Sequence, residues 1–471
     1  MKKLENTYKE LPNDFWRDAA PTAATNPKLI KFNHQLSDEL GLDIEESEIE
    51  DIFSGKNLPN ETSPIAMAYS GHQFGHFVPS LGDGRATLLG EALNNEGIRF
   101  DIQLKGSGRT FFSRRGDGLS SLGPVIREYI LCESMNKLNI PTTRALCAML
   151  SGEDVMRQGV LPGAIFTRVA KSHIRVGTFE YFAFREQDKN VKKLADYVID
   201  RIYPEVKNLE NKYLHLYRSI AKAKLDLVCK WMSVGFIHGV MNTDNTSISG
   251  ETIDYGPCAF MDHFQYDKVF SSIDANSRYA YNNQGQIALW NLSSLANCFL
   301  GLVHENSGEA TKLLEKELAD LSTYFDEKWL ETMGKKFGLF NATREHLPMI
   351  NSYLKYLQDN NLDFTNSFRA LPNMIDKEEE EEVFTKIKEQ ILLQNKPIDD
   401  AINLMNSVNP YLIPRNHLVE KAISDAEEGD YASFQALVVA LEDPYIENIE
   451  LKAFTIPPKD HEVVKNTFCG T

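Results

Sequence analysis

The densest group of polar side chains in the sequence lies between residues 238 and 256. The chain reads HGVMNTDN over residues 238–245 and DYG over residues 254–256. Asn245 and Asp254 carry hard oxygen atoms, the ligand type that Mg²⁺ prefers when it is bound jointly with phosphate groups. The two stretches therefore indicate a site where a metal ion and a phosphorylated substrate meet.

The spacing of these residues follows the catalytic loop of protein kinases, H-x-D-x-x-x-x-N followed by D-F-G. In a kinase the Asn and the last Asp bind Mg²⁺, whereas the first Asp is the general base. His238 and Asn245 are seven residues apart, as the pattern requires, but Val240 takes the position of the base. A general base contributes about 10²–10⁴-fold in rate, so the chain is either inactive or uses another group. Asp244 is the nearest candidate, with the alternative that its carboxylate only bonds to local backbone in an Asx-turn.

A lysine and a glutamate in the first third of the chain match two further kinase positions. Lys105 ends a β-like run over residues 101–105, as the lysine of the kinase V-A-I-K strand does. Glu128 lies 23 residues later on a predicted helix over residues 123–138, with Pro124 in its first turn. A kinase keeps the glutamate that holds this lysine on the corresponding helix.

Glycines and arginines near these positions suit an anionic ligand. Glycine-rich segments occur at residues 82–85, 106–109 and 116–118. Glycine lets backbone N–H groups approach phosphates closely, although each segment alone is more often a simple turn. Arg168 and Arg175 carry guanidinium groups that suit polyphosphate oxygens, with ion pairing or solvation as the alternative. The sequence contains no G-x-x-x-x-G-K-[ST], which excludes a P-loop.

The elements that must position these residues divide the chain into a strand-containing front part and a helical back part. Glycines and short β-like runs predominate at first, and amphipathic helices predominate later, apart from a predicted strand-rich island over residues 236–260. We predict an N-terminal extension (1–65), an α/β lobe (66–163), a mainly helical lobe with the catalytic loop (164–300) and a helical C-terminal extension (301–471).

Composition and charge restrict the class of protein. The 471-residue chain is 42% hydrophobic and 25% charged, which excludes a wholly disordered or fibrous protein. The 50 Lys and Arg against 67 Asp and Glu give a net charge of −17, so bulk attraction to nucleic acid is not expected. The six cysteines form no C-x-x-C pair, and we find neither a secretory signal nor an apolar run of about 18 residues. We therefore expect a cytoplasmic protein without a membrane or nucleic-acid partner.

Five stretches of the sequence identify a family. They are YSGHQFG over residues 69–75, LGDGRA over 81–86, QLKGSG over 103–108, REY over 127–129 and HGVMNTDN over 238–245. In these stretches, and almost end to end, the chain resembles the selenoprotein O family (SelO, also called YdiU) of protein adenylyltransferases. The resemblance implies an α+β, protein-kinase-like two-lobed fold, with a mixed α/β N-lobe, a mainly helical C-lobe and a helical C-terminal extension.

The activity that this resemblance implies is transfer of AMP from ATP to a Ser, Thr or Tyr hydroxyl of a protein, with release of pyrophosphate. The nucleotide is expected to bind flipped relative to a kinase, so that its α-phosphate faces the acceptor. Mg²⁺ is the implied metal, UTP with Mn²⁺ is a further expected pair, and a monomer is expected. The alternatives are a kinase-like phosphotransferase that uses Asp244 as its base and a non-catalytic, ATP-binding pseudokinase.

The resemblance also implies roles for single residues. Asp244 is the implied proton acceptor, and Glu128 would orient Lys105. Asn245 and Asp254 would hold Mg²⁺. Nucleotide contacts are implied for Gly82, Gly84, Arg85, Lys105, Asp117, Gly118, Arg168, Arg175 and Asp254. The last two arginines of this set would grip the phosphates that leave as pyrophosphate.

Two further pairs of residues each have two interpretations. Cys469 stands third from the C-terminus, where some relatives in the family carry selenocysteine, and Cys258 follows the DYG stretch. We hypothesise that they form a reversible disulfide, with two unrelated thiols as the alternative. His72 and His76 have the spacing of a helix-borne metal pair. Because no third ligand lies near them in sequence, structural hydrogen bonding is the preferred interpretation.

Overall fold

The fold is α+β, as the sequence predicts. The structure is a computed structural model, and it describes residues 4–59, 62–157, 159–375 and 381–467. An antiparallel sheet dominates the first part of the chain, and helices dominate the rest. The two-lobed, kinase-like arrangement and the four regional boundaries stay predictions.

Eight strands form one antiparallel sheet, and two short strand pairs lie outside it. The strands are β1 (Trp16–Asp18), β2 (Lys28–Phe32), β3 (Ile65–Met67), β4 (Gly71–Gln73), β5 (His76–Val78), β6 (Ala86–Leu93), β7 (Arg99–Lys105), β8 (Ser120–Ser121), β9 (Arg144–Met156), β10 (Val160–Ala170), β11 (Phe236–Ile237) and β12 (Ala259–Phe260). The order in the sheet is β1-β3-β6-β7-β10-β9-β2, and β8 pairs with β10. The separate pairs are β4 with β5 and β11 with β12.

The helices begin with two short ones that precede most of the sheet. They are α1 (His34–Glu39), α2 (Ile49–Phe53), α3 (Leu122–Lys137), α4 (Val176–Ala183), α5 (Asp188–Arg201), α6 (Lys212–Ser233), α7 (Gln284–Val303), α8 (Ser307–Lys336), α9 (Leu347–Asp359), α10 (Phe364–Ile375), α11 (Glu382–Leu392), α12 (Ile398–Val408), α13 (Asn416–Glu427) and α14 (Ala432–Ala440). The predicted helix over residues 123–138 is α3, which confirms that prediction within one residue at each end.

The sheet extends beyond the segment that the sequence predicts for it. Strand β10 continues to residue 170, past the predicted boundary after residue 163. Strands β1 and β2 come from the predicted N-terminal extension, and they pair at the two ends of the sheet. The predicted N-terminal extension therefore supplies both edge strands of the sheet.

The segment over residues 236–260, predicted to be rich in strands, is mostly loop. All of its residues are described, and only the two-residue strands β11 and β12 occur there. Its backbone hydrogen-bonds to other loops instead: Thr252 N donates to Pro141 O at 2.9 Å, and Ile248 N donates to Ile174 O at 3.1 Å. The prediction of a strand-rich island is wrong because these bonds run to distant segments rather than along a ladder.

Helix α3 is buried between the sheet on one side and α13 and α14 on the other. The rings of Tyr129 and Phe434 meet edge to face, with their centroids 5.5 Å apart. Arg127 forms an ion pair with Glu420 on α13. The last helices of the chain thus hold the helix that carries one of the predicted site residues.

The beginning of α13 is fixed to the segment that follows the DYG stretch. The side-chain amide of Asn416 donates to Phe260 O at 2.7 Å and accepts from Phe260 N at 3.2 Å. Arg415, which is buried, pairs with Asp262 at 2.7 Å and with Asp363 at 2.8 Å. The beginning of α13 therefore forms part of the surroundings of the predicted site.

One helix in the described part of the chain is long and apolar enough to cross a membrane by length and composition alone. It spans Tyr281–Val303, and 50% of its most apolar stretch is buried inside the protein. A helix that packs in a protein core passes the same test, so this single helix is weak support for a membrane span.

Candidate active site

Two paired strands, β7 and β10, present polar side chains on one face of the sheet. Successive side chains of a strand point to opposite faces. Ile102 and Leu104 therefore pack in the core that α1 and α2 cover, whereas Gln103 and Lys105 project from the other face. Gln103 is in register with Arg168 of β10, whose Nη2 donates to Gln103 Oε1 at 2.7 Å. The strand register thus places a buried arginine beside the predicted lysine.

Glu128 connects this lysine and this arginine from α3. Its Oε2 accepts a hydrogen bond from Lys105 Nζ at 2.6 Å. Its Oε1 accepts one from Arg168 Nη1 at 3.3 Å. The lysine–glutamate pair that the spacing predicts is formed, and the glutamate also holds a second cation.

Asp254 is the carboxylate on which the cations converge. Its backbone has φ of +63°, in the left-handed region. Its oxygens accept hydrogen bonds from Lys105 (3.1 Å), Arg168 (2.7 Å) and Arg175 (2.6 Å). Burial alone raises the pKa of Asp254, but the three cations outweigh burial and hold this pKa well below its usual range. The carboxylate is therefore ionised at neutral pH.

Arg175 links that carboxylate to the loop that carries Asp244. It precedes α4, and its Nη1 donates to Asp244 O at 2.5 Å as well as to Asp254. Its guanidinium lies over the ring of Tyr69, 4.7 Å from the centroid. A buried guanidinium with two carbonyl or carboxylate acceptors and an aromatic face beside it is held in one orientation.

Asp244 lies in a short 3₁₀ turn over residues 243–245 and is buried. Its Oδ2 accepts a hydrogen bond from Gln73 Nε2 at 3.1 Å. Its Oδ1 has no hydrogen-bond partner in the described structure. Burial, opposed by the Gln73 hydrogen bond and by the charge of Arg175, raises the pKa of Asp244 to about 6. A distant side chain holds this carboxylate, which the Asx-turn alternative does not predict.

Asn245 and Asp254 supply oxygen atoms of the type that Mg²⁺ prefers. Asn245 Nδ2 donates to Val240 O at 3.1 Å, which leaves its Oδ1 outside that bond. Across the described residues, no group of three or more His, Cys, Asp and Glu side chains could hold a metal by itself. The donor set fits a Mg²⁺ ion that completes its shell with phosphate oxygens and water, as such ions usually do.

A cleft of about 580 Å³ opens beside Asp244 and is lined by parts of the loops at residues 81–85 and 112–119. Gly82 has φ of +77°, and a Cβ atom at that position would overlap the ring of Phe112. Only glycine lets the two loops approach this closely. Arg85 Nη1 is buried and lacks a hydrogen-bond partner within the residues described. An unsatisfied buried donor at a cleft wall is suited to an anionic ligand.

The charge of this cleft is opposite in sign to that of the whole chain. Four arginines and two aspartates line it. The net charge of the chain is −17. A local excess of cations attracts an anion even where the overall charge is negative.

Asp117 and Gly118, both predicted to contact nucleotide, lie in the wall of the same cleft as Gly84. Asp117 Oδ2 accepts a hydrogen bond from Arg157 Nη1 at 2.8 Å. This hydrogen bond is the main reason why the pKa of Asp117 is lowered. The ion pair fixes the loop that would contact the nucleotide.

Except for Asn245, which lies in the same 3₁₀ turn as Asp244, the predicted nucleotide-binding and catalytic residues fall into two connected groups. One group forms the buried ion network around Asp254 and comprises Lys105, Glu128, Arg168, Arg175 and Asp254. The other group lines the cleft and comprises Gly82, Gly84, Arg85, Asp117, Gly118 and Asp244. Arg175 joins the two groups through its bond to the backbone of Asp244.

Sequence reasoning missed several residues of the site. They are Tyr69, Gln73, Gln103, Phe112, Arg114, Arg115 and Arg157. Tyr69, Gln73 and Gln103 lie inside the stretches that carry the family resemblance, and that was the only signal available. Local spacing could not show that Gln73 reaches Asp244, because the two residues are 171 positions apart.

The structure also bears on the cysteine pair and the histidine pair noted in the sequence. Cys258 is buried, whereas Cys469 lies outside the described residues, so their disulfide stays a prediction. Thr467 Oγ1 donates to Pro257 O at 2.7 Å, which brings the end of the described chain beside Cys258. His72 lies on a strand rather than a helix, and its Nδ1 pairs with Glu180 at 2.7 Å. The preferred interpretation of this histidine, structural hydrogen bonding, agrees with that contact.

Comparison with known proteins gives a consistent result. The sequence matches the family described as "Protein adenylyltransferase SelO" over residues 1–442. It is similar to a "Protein nucleotidyltransferase YdiU" of Agrobacterium fabrum, at 48% identity over 100% of both chains. Proteins of the same name from Bacillus cereus strain G9842 and Clostridium perfringens are each 46% identical, over 99% of this chain and 98% and 97% of their own.

Proposed function

We propose, from the premise that this chain belongs to the SelO family of protein nucleotidyltransferases, that it transfers AMP from ATP to protein hydroxyl groups. The acceptor would be a Ser, Thr or Tyr side chain, and pyrophosphate would be released. The same reaction with UTP and Mn²⁺ is part of the proposal. Family membership supports nucleotide transfer to protein, and the site geometry supports the details that follow.

The observation that carries the proposal is the convergence of Lys105, Arg168 and Arg175 on Asp254 beside an arginine-rich cleft. In adenylyl transfer, negative charge builds on the departing pyrophosphate. Cations that are already fixed stabilise such charge without reorganising during the reaction. The three cations would bind the β- and γ-phosphates, which leaves the α-phosphate for the acceptor.

Asn245 and Asp254 would hold Mg²⁺. Such an ion would supply positive charge that stabilises the phosphates. The residues of the chain keep separate tasks: Glu128 orients Lys105, and Arg175 keeps Asp254 beside the turn of Asp244.

Asp244 would accept the proton of the attacking hydroxyl. The hydroxyl oxygen forms a bond to the α-phosphorus, and the bond from that phosphorus to the oxygen bridging to the β-phosphate breaks. The proton passes to the Asp244 carboxylate, and the electron pair leaves with pyrophosphate. The pKa of Asp244, raised by burial to about 6, lies near the neutral range in which a general base is effective.

Labelled nucleotides test this proposal against both alternatives. The protein is incubated with Mg²⁺ and ATP labelled at either the α- or the γ-phosphate, alone and with a mixture of soluble proteins. Retention of the α-label only, with a mass increase of one AMP, is the expected result. Retention of the γ-label only would mean a phosphotransferase, and retention of neither would mean a nucleotide-binding protein without catalysis. Parallel reactions with α-labelled UTP and Mn²⁺ test the second nucleotide.

A further inference from the structure

The β4–β5 hairpin runs along the turn that carries Asp244. Three successive hairpin residues bond to three successive residues of that segment. These hydrogen bonds join His72 N to Thr243 Oγ1 (2.7 Å), Gln73 Nε2 to Asp244 Oδ2 (3.1 Å) and Phe74 N to Asn242 Oδ1 (3.0 Å). Because each bond goes to a different residue, the two segments are fixed in both position and rotation.

The backbone of the hairpin also packs directly on the Asp244 carboxylate. A Cβ atom built on Gly71 would overlap the Asp244 side chain, so only glycine allows this approach. Gln73 bonds to one oxygen of the carboxylate, and the backbone of Gly71 packs against the other. The hairpin therefore restricts the rotamer of Asp244 from both oxygens of the carboxylate.

Glu180 fastens the hairpin and the turn to each other. It lies on α4 and is buried. Its Oε1 pairs with His72 Nδ1 at 2.7 Å, and its Oε2 accepts from Thr243 Oγ1 at 2.6 Å. The Glu180 carboxylate thus holds His72 of the hairpin and Thr243 of the turn. These two residues directly precede Gln73 and Asp244, which bond to each other.

The position of Glu180 separates it from the nucleotide. It borders a second cleft, on the side of the hairpin where Phe77 and Trp290 lie. Gln73 and Asp244 face the nucleotide cleft instead. A role for Glu180 in catalysis must therefore act through the hairpin and the turn.

We propose that Gln73 and Glu180 are positioning residues: Glu180 fixes the hairpin to the turn, and Gln73 fixes the Asp244 carboxylate for proton transfer. This inference rests on the proposed function, because it takes Asp244 as the proton acceptor. A small displacement of a catalytic group costs about 100-fold in rate. Gln73 and Glu180 would thus increase the rate of AMP transfer without contacting the nucleotide.

The variants Gln73→Met and Glu180→Ala test this role. Methionine keeps the length of the side chain and removes the donor, and alanine removes both acceptors of the carboxylate. For each, the rate constant of AMP transfer from α-labelled ATP is measured. The dissociation constant of an ATP analogue with a methylene group between the α- and β-phosphates is measured with Mg²⁺. We expect the rate to fall about 10- to 100-fold while the dissociation constant stays within about twofold.

Two further variants make the test specific. Glu180→Gln keeps an oxygen that accepts from Thr243, so it should recover most of the rate that Glu180→Ala loses. In an Asp244→Asn background, Gln73→Met should cost little more, because residues that act as one unit are not additive. Glu317→Ala removes another buried carboxylate, which pairs with Arg218 far along the chain, and should leave transfer unchanged.

Several results would overturn the inference. They are a wild-type rate in Gln73→Met, an equal loss of rate and nucleotide affinity, and full additivity with Asp244→Asn. If Glu180→Ala does not fold, as judged by circular dichroism, then Glu180→Gln and Gln73→Met decide the matter. A wild-type protein that transfers no α-label refutes the proposed function first, and this inference falls with it. A wild-type protein that transfers the label, with indifferent variants, refutes the inference alone.

Discussion

At the residue scale, Asp254 balances three cations that a nucleotide would also bind. Removing this carboxylate should therefore have two opposite effects. Asp254→Ala should abolish Mg²⁺-dependent transfer, since it removes an implied metal ligand. The same change takes from three buried cations an acceptor that they share, so affinity for ATP in the absence of metal should be kept or increased. Transfer assays with Mg²⁺, and titrations of ATP with a chelator present, measure the two effects separately.

Retention of full activity by Asp254→Ala would show that the metal ligands are assigned wrongly. Lys421→Ala is a suitable control because Lys421 pairs only locally with Asp425 on an exposed helix face. It should change neither transfer nor ATP affinity. The comparison separates loss of the site from general effects of altered charge.

The pKa of Asp244 predicts how transfer depends on pH. Burial raises this pKa to about 6. A carboxylate accepts a proton only when ionised, so transfer should be constant at higher pH and fall as the pH drops below about 6. The fall should approach tenfold per pH unit. Single-turnover rates from pH 5 to 8 measure it, and a flat profile over that range would exclude Asp244 as the base.

The sequence predicted the identity of most charged residues in the site but not their contacts. The H-x₆-N and D-Y-G spacing located Asn245 and Asp254, and strand and helix patterns located Lys105 and Glu128. Gln73 could not be assigned to Asp244, because a contact between residues 171 positions apart depends on the packing of a hairpin on a turn. Local spacing carries no information on such packing.

At the element scale, helix α3 is held from the sheet on one side and from α13 on the other. Glu420 of α13 pairs with Arg127, the neighbour of Glu128. The variant Glu420→Arg places two like charges at this contact, and like charges repel. We expect it to displace α3, to weaken the Lys105–Glu128 pair and to lower ATP affinity severalfold, as measured by calorimetric titration.

Exchanging the two charges of the Arg127–Glu420 pair tests whether the effect is specific to this contact. The double variant Arg127→Glu with Glu420→Arg restores an attractive pair and should recover most of the ATP affinity. Lys421→Glu, a charge reversal at the next residue of α13, is the matched control and should have no effect. Equal losses in Glu420→Arg and Lys421→Glu would point to overall charge rather than to the position of α3.

Regular elements with a clear apolar period were predictable, and irregular ones were not. Helix α3 was predicted because apolar residues recur along it at helical spacing. The loop over residues 236–260 was predicted as strands because its composition is β-like. Its backbone partners, such as Pro141 and Ile174, lie far away in the sequence. Residue composition does not show whether the backbone of a segment will hydrogen-bond to a neighbouring strand or to a distant loop.

At the scale of the whole molecule, two buried histidines make stability depend on pH. Burial lowers the pKa of His173 and His238 to about 4. The unfolded chain binds a proton at each as the pH falls through about 6.5, whereas the folded chain does so only near pH 4. The contribution of each histidine to stability is therefore full above pH 6.5 and is lost progressively toward pH 4. Between pH 7 and pH 5 we expect about 2 kcal/mol of loss per histidine.

Urea unfolding at pH 7 and pH 5 measures this loss. His173→Asn should reduce the difference between the two pH values, because asparagine does not titrate. His461→Asn is the control, since that histidine is exposed. An unchanged difference in His173→Asn would mean that other groups cause the acid sensitivity.

The division into a sheet-rich front and a helical back was predictable from composition, but the edges of the sheet were not. Strands β1 and β2 are short and come from a segment whose pattern is mixed and polar. They find their places because β3 and β9 offer unpaired edges. The sequences of β1 and β2 alone do not predict this pairing, because it depends on the edges that the rest of the sheet provides.

The anchoring of residues 415 and 416 ties the surroundings of the DYG stretch to a segment that is synthesised late. A chain that leaves the ribosome exposes its sheet and its DYG stretch well before α13 has been synthesised, and early segments tend to fold first. Asp262 and the backbone of Phe260 then lack the side chains that pair with them later. We therefore expect a nascent chain to complete the surroundings of the DYG stretch only when translation is nearly finished.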